Sequence, residues 1–398
     1  MIRPKFMKKK IAILGSTGSI GKKTFNFIQK NKKKFEILLL TTNKNSKLIL
    51  NQAKKVGVKN IIITDDSKYF AAIKINKNIN LKIFNNFKKL DKIFKKKADY
   101  IMSSIGGIDG LSPTISCIKF TKKIAIANKE SIICGWSLIQ KNLKKYNTEF
   151  IPVDSEHFSL WQIINEKNKS NIDKIYITAS GGPFLNKSVK NLNNVKPNEA
   201  IKHPNWKMGK KISIDSATMM NKVFEIIEAK KIFGIELKKF SILIHPKSYI
   251  HAVVKFKNGL IKIVAHDTDM IIPIANTIFN SNKLNFKKDK IKFEILNNLN
   301  FRAPSKIKYP SLNILKKIKT KNTLFETALT SVNDELVNQF LNRKIKFREI
   351  ILFLNNILSL KNISKNYNKK IVSFNQIDEF KKKVTIETIK YVQNKKKL

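Results

Sequence analysis

Cysteine is almost missing from this chain: Cys117 and Cys134 are the two in 398 residues. Two cannot build a disulfide framework or a Cys-rich zinc site. Arginine is nearly as rare. Of 79 basic residues, Arg3, Arg302, Arg343 and Arg348 are the four arginines, and the other 75 are lysine. Acidic residues number 28, so the formal net charge is +51. Such a balance raises the question of nucleic acid. A chain selected to grip phosphate backbones uses more Arg, whose planar fork binds phosphate bidentately. Here the lysines are scattered, as in Lys32-Lys33-Lys34, Lys95-Lys96-Lys97 and Lys395-Lys396-Lys397. They read as a solvated surface that also draws anionic ligands, and no specific nucleic-acid partner is expected. No apolar run approaches the ~18–20 residues of a membrane span. The basic stretch 1–10 leads into an apolar segment that stops at Gly15, unlike a secretory leader. No membrane partner and a cytoplasmic location are therefore expected.

What is present suits a globular α/β protein. Hydrophobic residues make up 42%, and the length allows two or three domains with a full core. Residues 9–14 read as a strand, followed by Gly15-Ser16-Thr17-Gly18-Ser19-Ile20-Gly21 and a helix through Phe25 and Ile28. Strand, glycine turn and helix is the context of a dinucleotide site, because the helix N-terminus faces the pyrophosphate. The spacing G-x-x-G-x-x-G also fits an ordinary βα loop. After the second strand, 35–42, an NAD site would carry an acid for the ribose hydroxyls. Asn43-Lys44-Asn45-Ser46 stands there. A cation among amides suits a 2′-phosphate, and hence NADPH, although a polar loop in a lysine-rich chain would look the same. Further strands at 60–64, 81–84, 100–104, 123–127 and 150–153 alternate with helical patterns. That alternation predicts a Rossmann-like doubly wound parallel sheet. Asn128-Lys129-Glu130 follows one of these strands at the ligand-binding edge, where it also reads as a helix cap.

Asp154-Ser155-Glu156-His157 closes the last of these strands. Two carboxylates two residues apart can face one cation, and a third would make an oxygen site suited to Mg²⁺ or Mn²⁺ rather than zinc. A bare D-x-E is also common surface charge. After a strand at 174–179, Ser180-Gly181-Gly182 can form an anion-binding nest of backbone N–H groups, or a plain turn. Residues 203–231 then read as a loop feeding a helix. Asp215 or Ser216 can cap its start, Met220, Val223, Phe224 and Ile227 form its apolar stripe, and Gly234 ends it. Asn221, Lys222 and Glu225 share one side of that helix, three and four residues apart. This grouping suits an anionic ligand beside a metal, or a solvated face with an incidental ion pair.

Strands at 242–244, 250–256 and 260–265 follow, the last two joined at Lys257-Asn258-Gly259, a hairpin signal. His157, His245, His251 and His266 read as structural. Beyond a polar stretch at 283–310, three helical stripes appear. They are Ala328, Val332, Leu336 and Phe340; Phe347, Ile350, Ile351, Leu354, Ile357 and Leu358; and Phe380, Val384 and Ile389. The expected division is a nucleotide-binding domain (1–153), an α+β catalytic and metal domain (154–282), a linker (283–310) and a C-terminal helical bundle (311–398).

The wording of 203–225, together with the glycine turn, Ala125-Ile126-Ala127-Asn128-Lys129-Glu130-Ser131 and Asp154-Ser155-Glu156-His157, closely resembles the 1-deoxy-D-xylulose-5-phosphate reductoisomerase family. Gly106-Gly107-Ile108-Asp109-Gly110-Leu111 matches more loosely. Asn43, where the family usually has Gly, and the bulky Phe158 depart from its pattern. The resemblance spans nearly the whole chain, and four motifs fall in family order. It implies NADPH-dependent rearrangement and reduction of 1-deoxy-D-xylulose 5-phosphate, a small phosphorylated sugar, to 2-C-methyl-D-erythritol 4-phosphate, by a homodimer using Mg²⁺ or Mn²⁺. It implies cofactor contacts at Thr17, Gly18, Ser19, Ile20, Asn43, Lys44, Asn45, Asn128, Glu130 and Gly209. Metal ligands would be Asp154, Glu156 and Glu225. Substrate would meet Lys129, Ser155, Glu156, Ser180, His203, Ser216, Asn221, Lys222 and Glu225, under a flap carrying Trp206 and Met208. Lys129, Glu156 and His203 would be catalytic. Two other classes remain: a semialdehyde-type Rossmann dehydrogenase, which needs a nucleophilic Cys, and a nucleic-acid binder, which needs clustered Arg.

Overall fold

A computed structural model describes residues 7–76, 80–206, 208–279, 291–319 and 322–395. The chain divides into two compact units: Met1–Ser131, Ile139–Asp154 and Met270–Lys287 in the first, Ile132–Leu138, Ser155–Asp269 and Lys288–Leu398 in the second.

Seven strands make the first unit's sheet: β1 (Lys9–Leu14), β2 (Phe35–Thr42), β3 (Asn60–Ile63), β4 (Lys82–Phe84), β5 (Tyr100–Ser103), β6 (Lys123–Ile126) and β7 (Glu149–Pro152). They run in the order β4-β3-β2-β1-β5-β6-β7, every pairing parallel. Near-continuous Ile and Leu runs explain this, since strands of a sheet covered on both faces are apolar on both sides. Strand order reverses between β1 and β5, the place where such sheets bind ligands. The turn after β1 is packed there. A Cβ on Gly15, whose φ is +78°, would meet Ser104 O at 2.9 Å. Helix Ile271–Phe279, far along the chain, returns to this unit. Its Phe279 meets Phe27 and Phe35 edge-on at 5.9 and 5.3 Å, and Thr277 bonds the buried Tyr100 hydroxyl at 2.9 Å.

The second unit is built on β8 (Ile172–Ala179), β9 (Phe240–Ile244), β10 (Ile250–Phe256) and β11 (Ile261–Ala265), in the order β11-β10-β8-β9. β8 and β9 are parallel, and β10 is antiparallel to both its neighbours. Gly259, with φ +85°, turns the β10–β11 hairpin. Helix Ser155–Ile163 packs on β10 and β11. Helices Phe325–Leu341, Glu349–Leu358 and Phe374–Lys395 pack together, and the first two expected stripes are buried along them. In the third, Thr388 rather than Ile389 takes the buried position, between Val384 and Val392. A spacing of four from Val384 keeps the face, whereas a spacing of five turns away from it. The expected linker falls partly outside the described residues. Its part from 291 onward includes a helical turn at Phe293–Leu296 and an Arg302–Ile244 bridge to β9.

The run after His203 departs from the expected loop feeding a single helix. It forms two helices, Lys210–Ala217 and Met220–Phe233. Asp215 and Ser216 lie inside the first and do not cap the second. The break is Met219, buried in a left-handed conformation at φ +62°. Such a conformation in a residue with a Cβ persists only where packing imposes it. Gly234, at φ +59°, ends the second helix as expected.

A methyl at Gly21 would lie 2.1 Å from Gly15 O and 2.7 Å from Ser16 Cα. Both are backbone atoms that no rotamer change can move. Gly21→Ala should destabilise by on the order of 1–3 kcal/mol, read as an earlier urea midpoint. An unchanged midpoint would contradict this packing.

Candidate functional site

Within the first unit the glycine turn is tied to β2. Thr41 accepts from Gly15 N through its hydroxyl (2.8 Å) and from Ser16 N through its carbonyl (2.9 Å). Thr17 and Thr42 hydroxyls meet at 2.6 Å. Gly18 is the N-cap of helix Ser19–Lys30 and makes no side-chain cap bond. The turn therefore lies beside a helix N-terminus, the arrangement that receives a pyrophosphate. Asn43, Lys44 and Asn45 are exposed at the end of β2. Asn43 donates to Thr64 (2.9 Å), and Asn45 caps the next helix through Leu48 N (3.2 Å).

Asn128 is occupied by scaffolding. Buried after β6, it caps helix Lys129–Tyr146 through Ser131 N (3.1 Å) and donates to the carbonyls of Ile105 and Gly107. The capping alternative was legible in the sequence; the grip on the β5 loop was not. This cap sets Lys129 and Glu130, both buried, in the helix's first turn. Lys129 Nζ lies 2.8 Å from Asp154 Oδ2, at the last residue of the first unit's chain before Ser155.

In the second unit, Glu156, Lys222 and Glu225 form one buried cluster. Lys222 Nζ stands 2.5 Å from Glu156 Oε1 and 2.6 Å from Glu225 Oε2. Asn221 donates to the other oxygen of Glu225, and Ser155 donates to the other oxygen of Glu156 at 2.6 Å. His157 Nε2 meets Glu225 O at 2.8 Å, and its Nδ1 lies 3.6 Å from Glu228. Burial works against the Lys222 ammonium, but Glu156 and Glu225 outweigh it and raise its pKa above the ordinary lysine value. Carboxylate oxygens of Glu156 and Glu225 lie within 4.8 Å of each other. At that separation two bare carboxylates repel by at least roughly 3 kcal/mol at an effective dielectric of ~20. The pair thus requires a cation, a place that Lys222 fills in the structure. That requirement, and the all-oxygen chemistry, fit a hard divalent metal.

Around this cluster lies a cradle of small polar groups. Ser180, Gly181 and Gly182 form a turn with φ +86° and +70° at the two glycines. A Cβ on Gly182 would meet Ser216 O and Ala217 Cα at 3.0 Å, so the turn sits against the end of helix Lys210–Ala217. Ser180 Oγ accepts from Gly182 N (3.0 Å) and contacts His203 Nε2 (2.9 Å). His203 Nδ1 accepts from Asn205 N (3.2 Å) and Trp206 N (3.0 Å). An imidazole nitrogen that accepts carries no proton, so Nε2 holds it and donates to Ser180. Burial, then the charge of Lys222, push the His203 pKa down to about 4.

Asn205 anchors the following loop to Pro246 O (2.6 Å) and Ser248 (2.9 Å). Trp206 rests edge-on against His251, 6.1 Å between ring centres, and His251 stacks on His266 at 3.8 Å. This histidine pair was not legible as part of the loop's seat. It arises at a register shift between β10 and β11, which strand alternation does not announce. Gly209 is the N-cap of helix Lys210–Ala217, with open space where a Cβ would be. Both cysteines are buried, and burial drives their thiols up to about 12. Neither can be the nucleophile that a semialdehyde dehydrogenase requires.

Comparisons with known proteins cover the whole arrangement. The family model for 1-deoxy-D-xylulose 5-phosphate reductoisomerase matches residues 11–135, and models of its C-terminal domains match 150–233 and 266–386. The 1-deoxy-D-xylulose 5-phosphate reductoisomerase of Pelagibacter ubique (strain HTCC1062) is 56% identical over 344 residues, 86% of this chain and 89% of that protein. That of Wolbachia pipientis subsp. Culex pipiens (strain wPip) is 39% identical, over 86% of this chain and 88% of that one. Among solved structures, the Zymomonas mobilis reductoisomerase in complex with NADPH aligns with a TM-score of 0.85 at 30% identity, covering 97% of this chain and 99% of that one. A DOX-P reductoisomerase in complex with NADPH, fosmidomycin and magnesium aligns at 0.90 and 30% identity, covering 98% and 99%. On the strength of the sequence relatives alone, the chain belongs to the 1-deoxy-D-xylulose 5-phosphate reductoisomerase family.

Proposed function

We propose that the Glu156–Lys222–Glu225 cluster and the cradle beside it are where this chain performs its family's reaction, the NADPH-dependent conversion of 1-deoxy-D-xylulose 5-phosphate to 2-C-methyl-D-erythritol 4-phosphate. The observation that carries the assignment is a pair of buried carboxylates that needs a cation. Asp154, two residues before Glu156 in the chain, completes the proposed metal set. A divalent cation held there supplies Lewis-acid polarisation of the substrate's oxygens, and NADPH supplies the hydride.

The chain's own residues do the rest. Ser180, Ser216, Asn221 and Lys222 bind the phosphate of the substrate, with the glycine turn's N–H groups behind them. His203 is a neutral donor in this role, because its Nδ1 is already accepting and its pKa lies far below neutrality. It positions Ser180 and the phosphate through its Nε2–H and takes no part in proton transfer. Lys129 neutralises a developing oxyanion, and Glu156 accepts or returns a proton within hydrogen-bond reach of the reacting hydroxyl. Ser155 holds Glu156 in place. Trp206 and Met208 close over the substrate and exclude water. Thr17, Gly18, Ser19 and Ile20 cradle the pyrophosphate of NADPH. Asn43, Lys44 and Asn45 face its 2′-phosphate, and Asn128, Glu130 and Gly209 define its nicotinamide end.

We propose a homodimer as well. β11 is an edge strand whose Ile261 and Ile263 are 58% and 44% exposed, and Leu260 beside it is 58% exposed. An apolar edge left open is a template for pairing with a second copy. Among the described residues no helix is long and apolar enough to cross a membrane. The two free cysteines fit a reducing compartment, and a cytoplasmic site of action is part of the same proposal.

Oxidation of NADPH followed at 340 nm should require both 1-deoxy-D-xylulose 5-phosphate and Mg²⁺ or Mn²⁺. Glu156→Gln should lower turnover by about 100-fold or more while NADPH still binds by fluorescence titration; near-normal turnover would refute its role. Because His203 is depressed from 6.5 to about 4, the unfolded chain takes up its proton first as pH falls. Its contribution to stability is thus whole above pH 6.5 and is lost on acidification toward pH 4. Thermal midpoints measured across that window should fall less steeply for His203→Asn than for the parent chain. For the dimer, Ile263→Lys should move the sedimentation coefficient toward a monomer's, and a species unchanged by the substitution would sink that part of the reading.

A further inference from the structure

The oxygens that a metal would need are taken. Glu156 presents Oε1 and Glu225 presents Oε2, and the Lys222 ammonium lies 2.5 and 2.6 Å from them. Their other oxygens are engaged elsewhere, by Ser155 and Asn221. A Mg²⁺ ion binds oxygen at about 2.0–2.1 Å, so an ion bridging these two oxygens and the ammonium cannot coexist. Lysine is suited to leave. Its charge rides on four flexible carbons, and its three donors can be re-aimed without breaking the backbone.

We infer that Lys222 is an internal stand-in for the divalent cation, and that metal binding expels its ammonium toward the Ser180–Gly182 turn, where it becomes a phosphate ligand. This rests on the metal and phosphate roles proposed above and adds the link between them. Without metal, the ammonium is committed to the two carboxylates. Under those conditions a phosphate dianion lacks its principal cation. A divalent ion takes over the carboxylates and frees the lysine at the same moment. The Lys222 charge helps lower the pKa of His203, which bonds Ser180, so the ammonium already lies within electrostatic reach of that turn. Metal and phosphoryl group therefore bind with positive coupling, and the coupling must be the same whichever binds first.

Titration calorimetry on the full chain tests this with Mn²⁺ and inorganic phosphate as probes and no turnover involved. Phosphate should bind at least about tenfold tighter in saturating Mn²⁺ than in its absence, corresponding to a coupling of about 1.4 kcal/mol. Lys222→Met should bind Mn²⁺ more tightly than the parent chain, because the competitor is gone, and its phosphate affinity should no longer depend on Mn²⁺. Equal phosphate affinity with and without Mn²⁺ in the unmodified chain overturns the inference even if the variant fails to fold. So does a folded Lys222→Met that binds Mn²⁺ no tighter. The two readings separate on the first titration. Absence of any Mn²⁺ binding that Glu225→Gln removes defeats the metal assignment itself, and with it the stand-in. Mn²⁺ binding without coupling defeats the stand-in alone.

Discussion

The charge triad of Glu156, Lys222 and Glu225 is the constraint to which the rest of the second unit is fitted. Removing one partner of such a buried set typically costs about 3–5 kcal/mol, because a charge is left without compensation. Helix Met220–Phe233 holds two of the three, and its apolar side is fully enclosed through Met220, Val223, Phe224 and Ile227. With that side fixed in the core, Asn221, Lys222 and Glu225 have little choice of direction. His157 then ties the helix carrying Glu156 to the backbone of Glu225, so the third charge arrives by the same packing. The left-handed Met219 is the local cost of starting the helix at this place, and Ser311, donating to Thr218 O at 2.5 Å, holds the break from the other side.

Charge elsewhere follows a different rule. A surplus of lysine over acid leaves most surface cations without a carboxylate, and those that find one are exposed pairs such as Lys255–Asp173 at 3.0 Å. Such pairs are worth about 0–1 kcal/mol each. The buried acids are the scarce resource. Glu326 and Glu228 are each 1% exposed, as is Glu225, and Glu326 lies 3.3 Å from the buried Lys231. In a chain this basic, the acids kept inside mark where the structure needs negative charge, and the field outside them favours anionic ligands arriving from solvent.

Much of this was readable in the residues. Each strand among the described residues overlaps a short apolar run expected as a strand. The side-by-side placement of Asn221, Lys222 and Glu225 followed from helical spacing. Other features had no local signature. Asp215 and Ser216 look like caps for helix Met220–Phe233, while Asp215 is in fact committed to Lys211 at 2.9 Å and Asn333 at 2.8 Å. A left-handed methionine gives no warning in sequence. The salt link from Lys222 to Glu156 spans 66 positions, and the stacking of His251 on His266 depends on an irregular strand register. Each of these is a tertiary effect that overrides local preference, and each lies at or beside the proposed site, where local rules most often yield.

Helix Ile271–Phe279 completes the first unit although about half of the second unit, its whole sheet included, precedes it in the chain. On a ribosome the order of emergence is the order of the sequence. The leading sheet is made early, yet the ring of Phe279 that closes over Phe27 and Phe35 appears only after β8 to β11 have left the exit tunnel. Until then the nascent sheet carries an uncovered aromatic patch. Folding of this nucleotide-type half therefore cannot be finished until the second unit's sheet has been synthesised, and a nascent chain stalled before residue 271 would be a natural client for chaperones.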